Sequence, residues 1–277
     1  MLVAAVGCGK AEGTSEAPLG QARQAAVSGP DFVVTAVSGP ASTPYDRSNT
    51  VSVTVCNQGT VSDSTQVELL LSTDAIIEMP ESYGPGEDLR ISGSSPQYLD
   101  PGECRTLPMH AHFSSSIAEG AYYLGAIVDP DNTRPELIED NNTKTGNRMG
   151  VGSKGDFFIK SVAGPASAQM GQSITVTVTV CNQGTFRDST RVDLMLSSDA
   201  TIEVPEVYGP YEDVRLAASD ILYLEPGQCQ TVDLQSTVSA YRAEAYYLGA
   251  VADYDNARPE LIEDNNTKAG NVINVTP

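Results

Sequence analysis

The sequence predicts an all-β fold made of two tandem immunoglobulin-like antiparallel β-sandwiches. Three observations carry that expectation. The first is duplication: Arg134–Asn147 reads RPELIEDNNTKTGN and Arg258–Asn271 reads RPELIEDNNTKAGN, with one difference in fourteen positions. CNQGT at Cys56–Thr60 recurs 125 residues later at Cys181–Thr185, and the Pro-Gly-x-Cys of Pro101–Cys104 returns at Pro226–Cys229 with the same offset. Two like units of about 120 residues, each long enough to bury a core, mark a modular protein. The second is period-two alternation. Ile174, Val176, Val178 and Val180 share one strand face, and Thr175, Thr177 and Thr179 share the other; Val51, Val53 and Val55 repeat the beat. Such a pattern describes an antiparallel strand with one dry face. The third is punctuation: Gly-Pro, Pro-Gly, Asn-Gln-Gly and Asp-Asn-Asn separate the runs, and no segment holds a helical apolar period over three turns.

In chain order, strands are expected at Phe32–Val37, through Val51–Val55, and at Gln66–Ser72, Cys104–His112 and Tyr122–Asp129. Their counterparts are Phe157–Val162, Ile174–Cys181, Arg191–Ser197, Cys229–Thr237 and Tyr246–Asp253. About seven strands per unit, each dry on one side, hide that side by pairing two sheets. The pattern leaves other Greek-key strand orders open. The first sandwich is assigned to residues 31–147 and the second to 156–277. Arg148–Gly155 between them, with three glycines in MGVGSKG, reads as a linker short enough to hold the domains end to end and flexible enough to vary their angle.

Residues 1–8 read as a truncated bacterial lipoprotein signal ending in Cys8, and 9–30 as a flexible tether. Val6-Gly7-Cys8 follows a short apolar run, although Ala5 stands where leucine is usual and the basic n-region is missing. No stretch of 18 or more apolar residues occurs. With 36 acidic against 16 basic residues, the formal charge of -20 repels DNA, RNA and anionic lipid. Any membrane contact is therefore expected only through a lipid on Cys8.

The other four cysteines fall into two pairs, Cys56 with Cys104 and Cys181 with Cys229, each 48 residues apart. One disulfide per domain is the economical reading, and it requires an oxidising compartment. Four inert thiols copied by duplication are the alternative. Parity puts Cys181 with the threonines, and Cys229 with Thr231 and Asp233, on the outer side of a sheet. A cross-strand staple near a sheet end follows, unlike the bridge that packs between sheets against tryptophan in antibody domains; this chain has no Trp. Closing such a loop is expected to stabilise each domain by roughly 3–4 kcal/mol.

The string DFVVTAVSGPASTP, VSVTVCNQGT, VELLLSTD, PGECRT and YYLGAIVDPDNTRPELIEDNNT resembles the CARDB family, the cell-adhesion-related domains of bacterial and archaeal surface proteins. The second copy resembles it again from Asp156 to Asn266, and together the likeness covers nearly all of Asp31–Asn271. The resemblance implies a seven-stranded β-sandwich and an extracellular scaffolding or adhesive role. The cysteines are an addition that many members lack.

Candidate chemistry is concentrated in acidic loops. Asp129, Asp131, Asn132, Glu136, Glu139, Asp140 and Asn141 follow one strand, echoed by Asp253, Asp255, Asn256, Glu260, Glu263, Asp264 and Asn265. Calcium takes six to eight oxygens from such loops, so Asp129, Asp131, Asn132, Glu139 and Asp140, with Asp253, Asp255, Asn256, Glu263 and Asp264, are the candidate ligands. The sequence is not an EF-hand, since Arg134 stands where the central glycine belongs and Asp140 where glutamate does. Turn chemistry is the competing reading: Asp and Asn side chains bonded to nearby backbone, with Asn142 and Asn266 in left-handed positions and Arg134 and Arg258 paired to carboxylates. A second acidic group, Asp74, Glu78, Glu81, Glu87 and Asp88, is echoed by Asp199, Glu203, Glu206, Glu212 and Asp213. It occupies an insert with Tyr83, Tyr208 and Tyr211, which reads either as a recognition surface or as a solvated loop.

Enzymatic chemistry finds no footing. His110 and His112, aligned with Gln235 and Thr237, are expected on a strand surface, and no nucleophile elbow, H-E-x-x-H or phosphate loop occurs. The expected function is a non-enzymatic surface adhesion or spacer protein of the bacterial envelope or exterior, with no catalytic residues and no bound cofactor. Its expected partner is an unidentified surface protein or glycan. The alternative is calcium-dependent recognition of a glycan or envelope protein through the acidic loops.

Overall fold

The computed structural model describes residues 27–80, 88–204 and 213–277. Cys8 with residues 1–26, and Glu81, Tyr83, Glu87, Glu206, Tyr208, Tyr211 and Glu212, lie outside the described residues. The first copy contains β1 (Phe32–Ser38), β2 (Ser42–Thr43), β3 (Arg47–Asn57), β4 (Asp63–Thr65), β5 (Val67–Ser72), β6 (Leu89–Gly93), β7 (Gln97–Leu99), β8 (Cys104–Phe113), β9 (Gly120–Val128) and β10 (Thr143–Val151). The second repeats the order as β11 (Phe157–Ala163), β12 (Ser167–Gln169), β13 (Ser173–Asn182), β14 (Asp188–Thr190), β15 (Val192–Ser197), β16 (Val214–Ala218), β17 (Leu222–Leu224), β18 (Cys229–Thr237), β19 (Ala245–Ala252) and β20 (Thr267–Thr276).

Each copy lays a three-stranded sheet, β1-β3-β8 or β11-β13-β18, over a five-stranded one, β2-β10-β9-β5-β6 or β12-β20-β19-β15-β16. All pairings are antiparallel except β2 with β10 and β12 with β20. The valine beat does what its period demands. Val51, Val53 and Val55 of β3, and Val176, Val178 and Val180 of β13, are fully buried against the facing sheet. They meet Leu69, Leu71 and Leu124 in the first core and Leu194, Leu196 and Leu248 in the second.

β5 and β15 depart from the beat, because every residue in them is buried. Leu70 and Ile127 face away from the main core but are roofed by Ile77, and Met195 and Val251 are roofed by Ile202. The roof sits so low that a Cβ on Gly125 would lie 2.3 Å from Ile77 Cδ1, and one on Gly249 2.2 Å from Ile202 Cδ1. The described ends of the insert are therefore not plain loop. Its first residues cover the five-stranded sheet, and its last form β6 and β16 at that sheet's edge. Burial on both faces explains why Glu68 and Asp193 are paired, with Arg90 and Arg215.

The cysteines pair as spacing and parity predict. Cys56 lies opposite Cys104 at the end of the β3–β8 ladder, and Cys181 opposite Cys229 at the end of β13–β18, each with Cα atoms 4.0 Å apart. Neighbouring outer-face pairs continue the ladder, with Thr54 and Thr106 hydroxyls 2.9 Å apart and those of Thr179 and Thr231 2.8 Å apart.

The expected linker needs correction. Arg148–Val151 complete β10, so only the short stretch after Val151 joins the sandwiches. That stretch is tied on both sides. Lys154 Nζ lies 2.9 Å from Glu119 Oε1, Ser153 N donates to Glu119 Oε2 at 2.8 Å, and Thr185 Oγ1 donates to the Gly152 carbonyl at 2.6 Å. Ser42 Oγ donates to the Gln183 carbonyl, and Arg148 pairs with Asp264. Leu261 lies directly on Gly150, where a Cβ would come within 2.7 Å of the Leu261 Cβ. A glycine-rich composition suggested freedom, but Gly150 permits close approach between the domains instead.

Candidate functional site

The acidic loops follow β9 and β19, at the pole of each sandwich that also holds the Cys-Asn-Gln-Gly turn. Their shape comes from left-handed residues, at Asp129 (φ 46°) and Asn132 (φ 45°), and at Asp253 (φ 50°) and Asn256 (φ 45°). The expectation for Asn142 and Asn266 is thereby corrected, because the tight reversal comes directly at the strand end rather than at the loop's return. Short polar side chains tolerate this conformation by bonding locally. Asp129 Oδ2 accepts from Arg134 N at 2.8 Å and its Oδ1 from Thr133 Oγ1 at 3.2 Å; Asp253 Oδ2 accepts from Arg258 N at 2.8 Å.

The rest of the loop clamps the first strand. Glu136 and Glu260 accept from the Phe32 and Phe157 amides, and from Asn142 Nδ2 at 3.1 Å and Asn266 Nδ2 at 2.9 Å. Their own amides donate at 2.8 Å to Glu139 and Glu263. Asn141 and Asn265 reach Asp31 and Asp156 at 2.8 Å. Asn57 and Asn182, fully buried, complete the clamp. Each accepts from the amide of Asp31 or Asp156 at 3.2 Å and donates to two backbone carbonyls, those of Val61 and Leu99 or of Phe186 and Leu224. One side chain thus satisfies several backbone groups that no strand partner reaches.

Burial makes these carboxyls reluctant to ionise. Desolvation raises Glu136 to about 7 and Glu260 to about 8, against the hydrogen bonds from Phe32 and Phe157 that favour the charged forms. Asp156 rises to about 6 through its burial, partly offset by its bonds from Asn265 and Gln183 and by the Arg148 charge. A protonated carboxyl avoids stacking several negative charges at one buried pole.

The calcium candidates are not assembled into a ligand set. Among the described residues no group of three or more His, Cys, Asp and Glu side chains converges as a metal centre. Asp129 already accepts with both oxygens, Glu139 and Glu263 hold loop amides, and Asp264 pairs with Arg148. Asp131, Asp255 and Asp140 are exposed, as is Asn256. Two oxygens per copy, on Asn141 and Asn142 and on Asn265 and Asn266, are buried without a protein donor. Calcium takes roughly six oxygens, and the hydrogen bonds of these loops are those of turn construction. Arg134 and Arg258 approach Asp63 and Asp188 at 3.9 and 4.0 Å. His110 and His112 are exposed on β8 beside Thr50 and Ser48 hydroxyls.

One element escaped the sequence reading. Leu261 and Ile262, inside the acidic loop, are 2% and 4% exposed at the domain junction. Two adjacent apolar residues in an otherwise polar loop were the signal.

The CARDB family model matches residues 29–146 and 154–270. Comparison with curated proteins gave no match. Among solved structures, the chain is 25% identical to the CARDB domain of the Pyrococcus furiosus PF1109 protein, crystallised in complex with di-metal ions, covering 46% of this chain and 96% of that one at a TM-score of 0.34. The solution structure of the same domain gives 25% identity, 46% and 98% coverage and a TM-score of 0.32. Red sea bream transglutaminase is 14% identical, with 88% of this chain and 31% of that one covered at a TM-score of 0.42. Likenesses with such scores carry no functional argument. CARDB domains are non-catalytic, adhesion-related domains associated with the cell surface. The two family matches span most of the sequence, and the chain belongs to the CARDB family, of which it carries two tandem domains.

Proposed function

We propose that this protein is a non-enzymatic spacer of the bacterial cell envelope, holding an adhesive surface at a set distance through two CARDB domains joined rigidly. The observation that carries the reading is the junction. Leu261 is buried there against Gly150, Arg148–Asp264 pairs across it, and Lys154–Glu119 ties the connecting stretch to the first sandwich. A buried apolar contact ringed by polar ones restricts relative domain motion, as a free linker does not. The cross-strand disulfides support an exported location, since such bonds persist in oxidising compartments. Acylation of Cys8 is the proposed tether, an outer-membrane lipoprotein anchor, and the partner is a surface protein or a glycan.

The test measures the junction in the full chain. Spin labels at the exposed Tyr98 and Tyr223 positions, in a Cys8→Ser background, are expected to give one narrow inter-label distance distribution. A broad distribution spanning many orientations would overturn the rigid spacer. Mass spectrometry of the mature N-terminus from intact cells tests the lipid.

A further inference from the structure

The two copies differ where each acidic loop meets β4 or β14. In the second copy this corner encloses a cavity of about 150 Å³, lined among others by Arg191, Arg215, Ile221, Tyr254, Asp255 and Arg258. The first copy has a corresponding hollow, and the framework residues Ser64, Thr65, Asp129, Asp131 and Arg134 match Ser189, Thr190, Asp253, Asp255 and Arg258. Four wall positions do not match. Gln66, Pro96, Pro130 and Thr133 become Arg191, Ile221, Tyr254 and Ala257. Within a duplication that keeps RPELIEDNNTK unchanged, that gathering of changes adds a second arginine, Arg191, to the shared Asp, Asp and Arg framework and puts Ile221 and Tyr254 where the first copy has prolines.

From these residues we infer that the cavity is a binding site for one uronic-acid residue of a saccharide. The charge arrangement leads there. Asp193 is 1% exposed at the side chain and held by Arg215, so that pair is internally neutral. Arg258 approaches Asp188 at 4.0 Å and gives its backbone amide to Asp253. Among the described residues no ion pair within contact distance engages Arg191, whose charge acts on Asp193 only at longer range, and its planar fork can take a ligand carboxylate. Asp255 is exposed at the same rim and accepts hydroxyl protons.

A free anion such as phosphate is a poorer fit, because Asp253 and Asp255 would face its second charge. A ligand with one carboxylate and several hydroxyls uses both signs. Ile221, 53% exposed, offers an apolar surface for a sugar ring face. The Tyr254 ring is fixed by the Arg215 guanidinium 4.7 Å from its centroid and packs on the Met195, Ile202 and Val251 cluster. That wall, and the left-handed turn at Asp253 and Asn256, hold their shape before a ligand arrives. The volume is below the ~300 Å³ at which drug-sized sites begin, which limits the occupant to a single ring. The site stands apart from the spacer reading, since a rigid stalk needs no ligand.

The test titrates methyl β-D-glucuronoside into the full chain, followed by saturation-transfer NMR and calorimetry, with methyl β-D-glucoside and inorganic phosphate as comparison probes. The glucuronoside is expected to bind with a dissociation constant of about 1–10 mM and the other two at least about tenfold more weakly. Arg191→Gln installs the residue that the first copy carries at the same place, so the fold tolerates it; an unchanged melting temperature verifies that. This variant should weaken glucuronoside binding about tenfold or more, while Gln66→Arg in the first copy should add no second site. No binding by about 50 mM, equal binding by Arg191→Gln or of the glucoside, or tighter binding of phosphate would each overturn the assignment.

Discussion

The loops Arg134–Asn142 and Arg258–Asn266 share nine residues, RPELIEDNN, and hold the same internal hydrogen bonds, yet they live in different surroundings. In the second, Leu261 and Ile262 are buried beneath the end of β10, whereas in the first Leu137 is half-buried and Ile138 is 48% exposed. Both loops take the preceding segment in the same way, with Leu137 N donating to Pro30 O at 2.9 Å and Leu261 N to Gly155 O at 3.1 Å. Only the second has a sandwich placed upon it. The comparison teaches that the loop's fold is local and its energetic weight is not. Glu260 reaches about 8 where Glu136 reaches about 7, because the junction strips more water from the second copy.

The largest expected effect comes from removing the buried apolar contact. Leu261→Ala should cost about 2–4 kcal/mol, and Leu137→Ala less than half of that, when both are measured by guanidinium denaturation with the disulfides intact. Equal losses would show that the junction adds nothing to the loop.

Next is protonation. The folded protein keeps the Glu260 proton up to about 8, whereas an unfolded glutamate releases it near 4.5. The native state thus binds more protons in that window, so stability is full below about 4.5 and falls as pH rises towards 8. Glu136 should act in the same direction over a window ending near 7. Glu260→Gln should flatten the upper part of a melting-temperature profile. It should also cost about 1–2 kcal/mol, since an amide nitrogen would face one of the two donors. A profile that rises between pH 5 and 8 would contradict the buried-carboxyl account.

Smaller still is the rim. Arg148–Asp264 is partly exposed, so Arg148→Ala should cost under about 1 kcal/mol, and less in high salt. Its sharper readout is Asp156, whose carboxyl should titrate higher by NMR once the Arg148 charge is gone. The smallest effect expected is that of calcium. A few millimolar Ca²⁺ should leave the melting temperature unchanged, and a saturable upward shift would reinstate the acidic loops as a cation site.

The valine beat, the turn signals and the repeat made two sandwiches legible, and parity placed Cys56, Cys104, Cys181 and Cys229 at a sheet end. What stayed hidden was long-range. Ile77 and Ile202 lie in polar inserts, and only the fold brings them over Gly125 and Gly249. The glycines near the domain boundary suggested slack, and only packing shows that Gly150 is the seat of Leu261.

Local pattern by itself determined which faces are dry, where strands reverse and how many modules exist, because backbone geometry ties those properties to residues a few positions apart. Tertiary structure alone decided which acidic loop is buried and how strongly each carboxyl holds its proton. Those outcomes depend on water being excluded by segments distant in sequence, and identical residues report it differently when a neighbour is present on one side only.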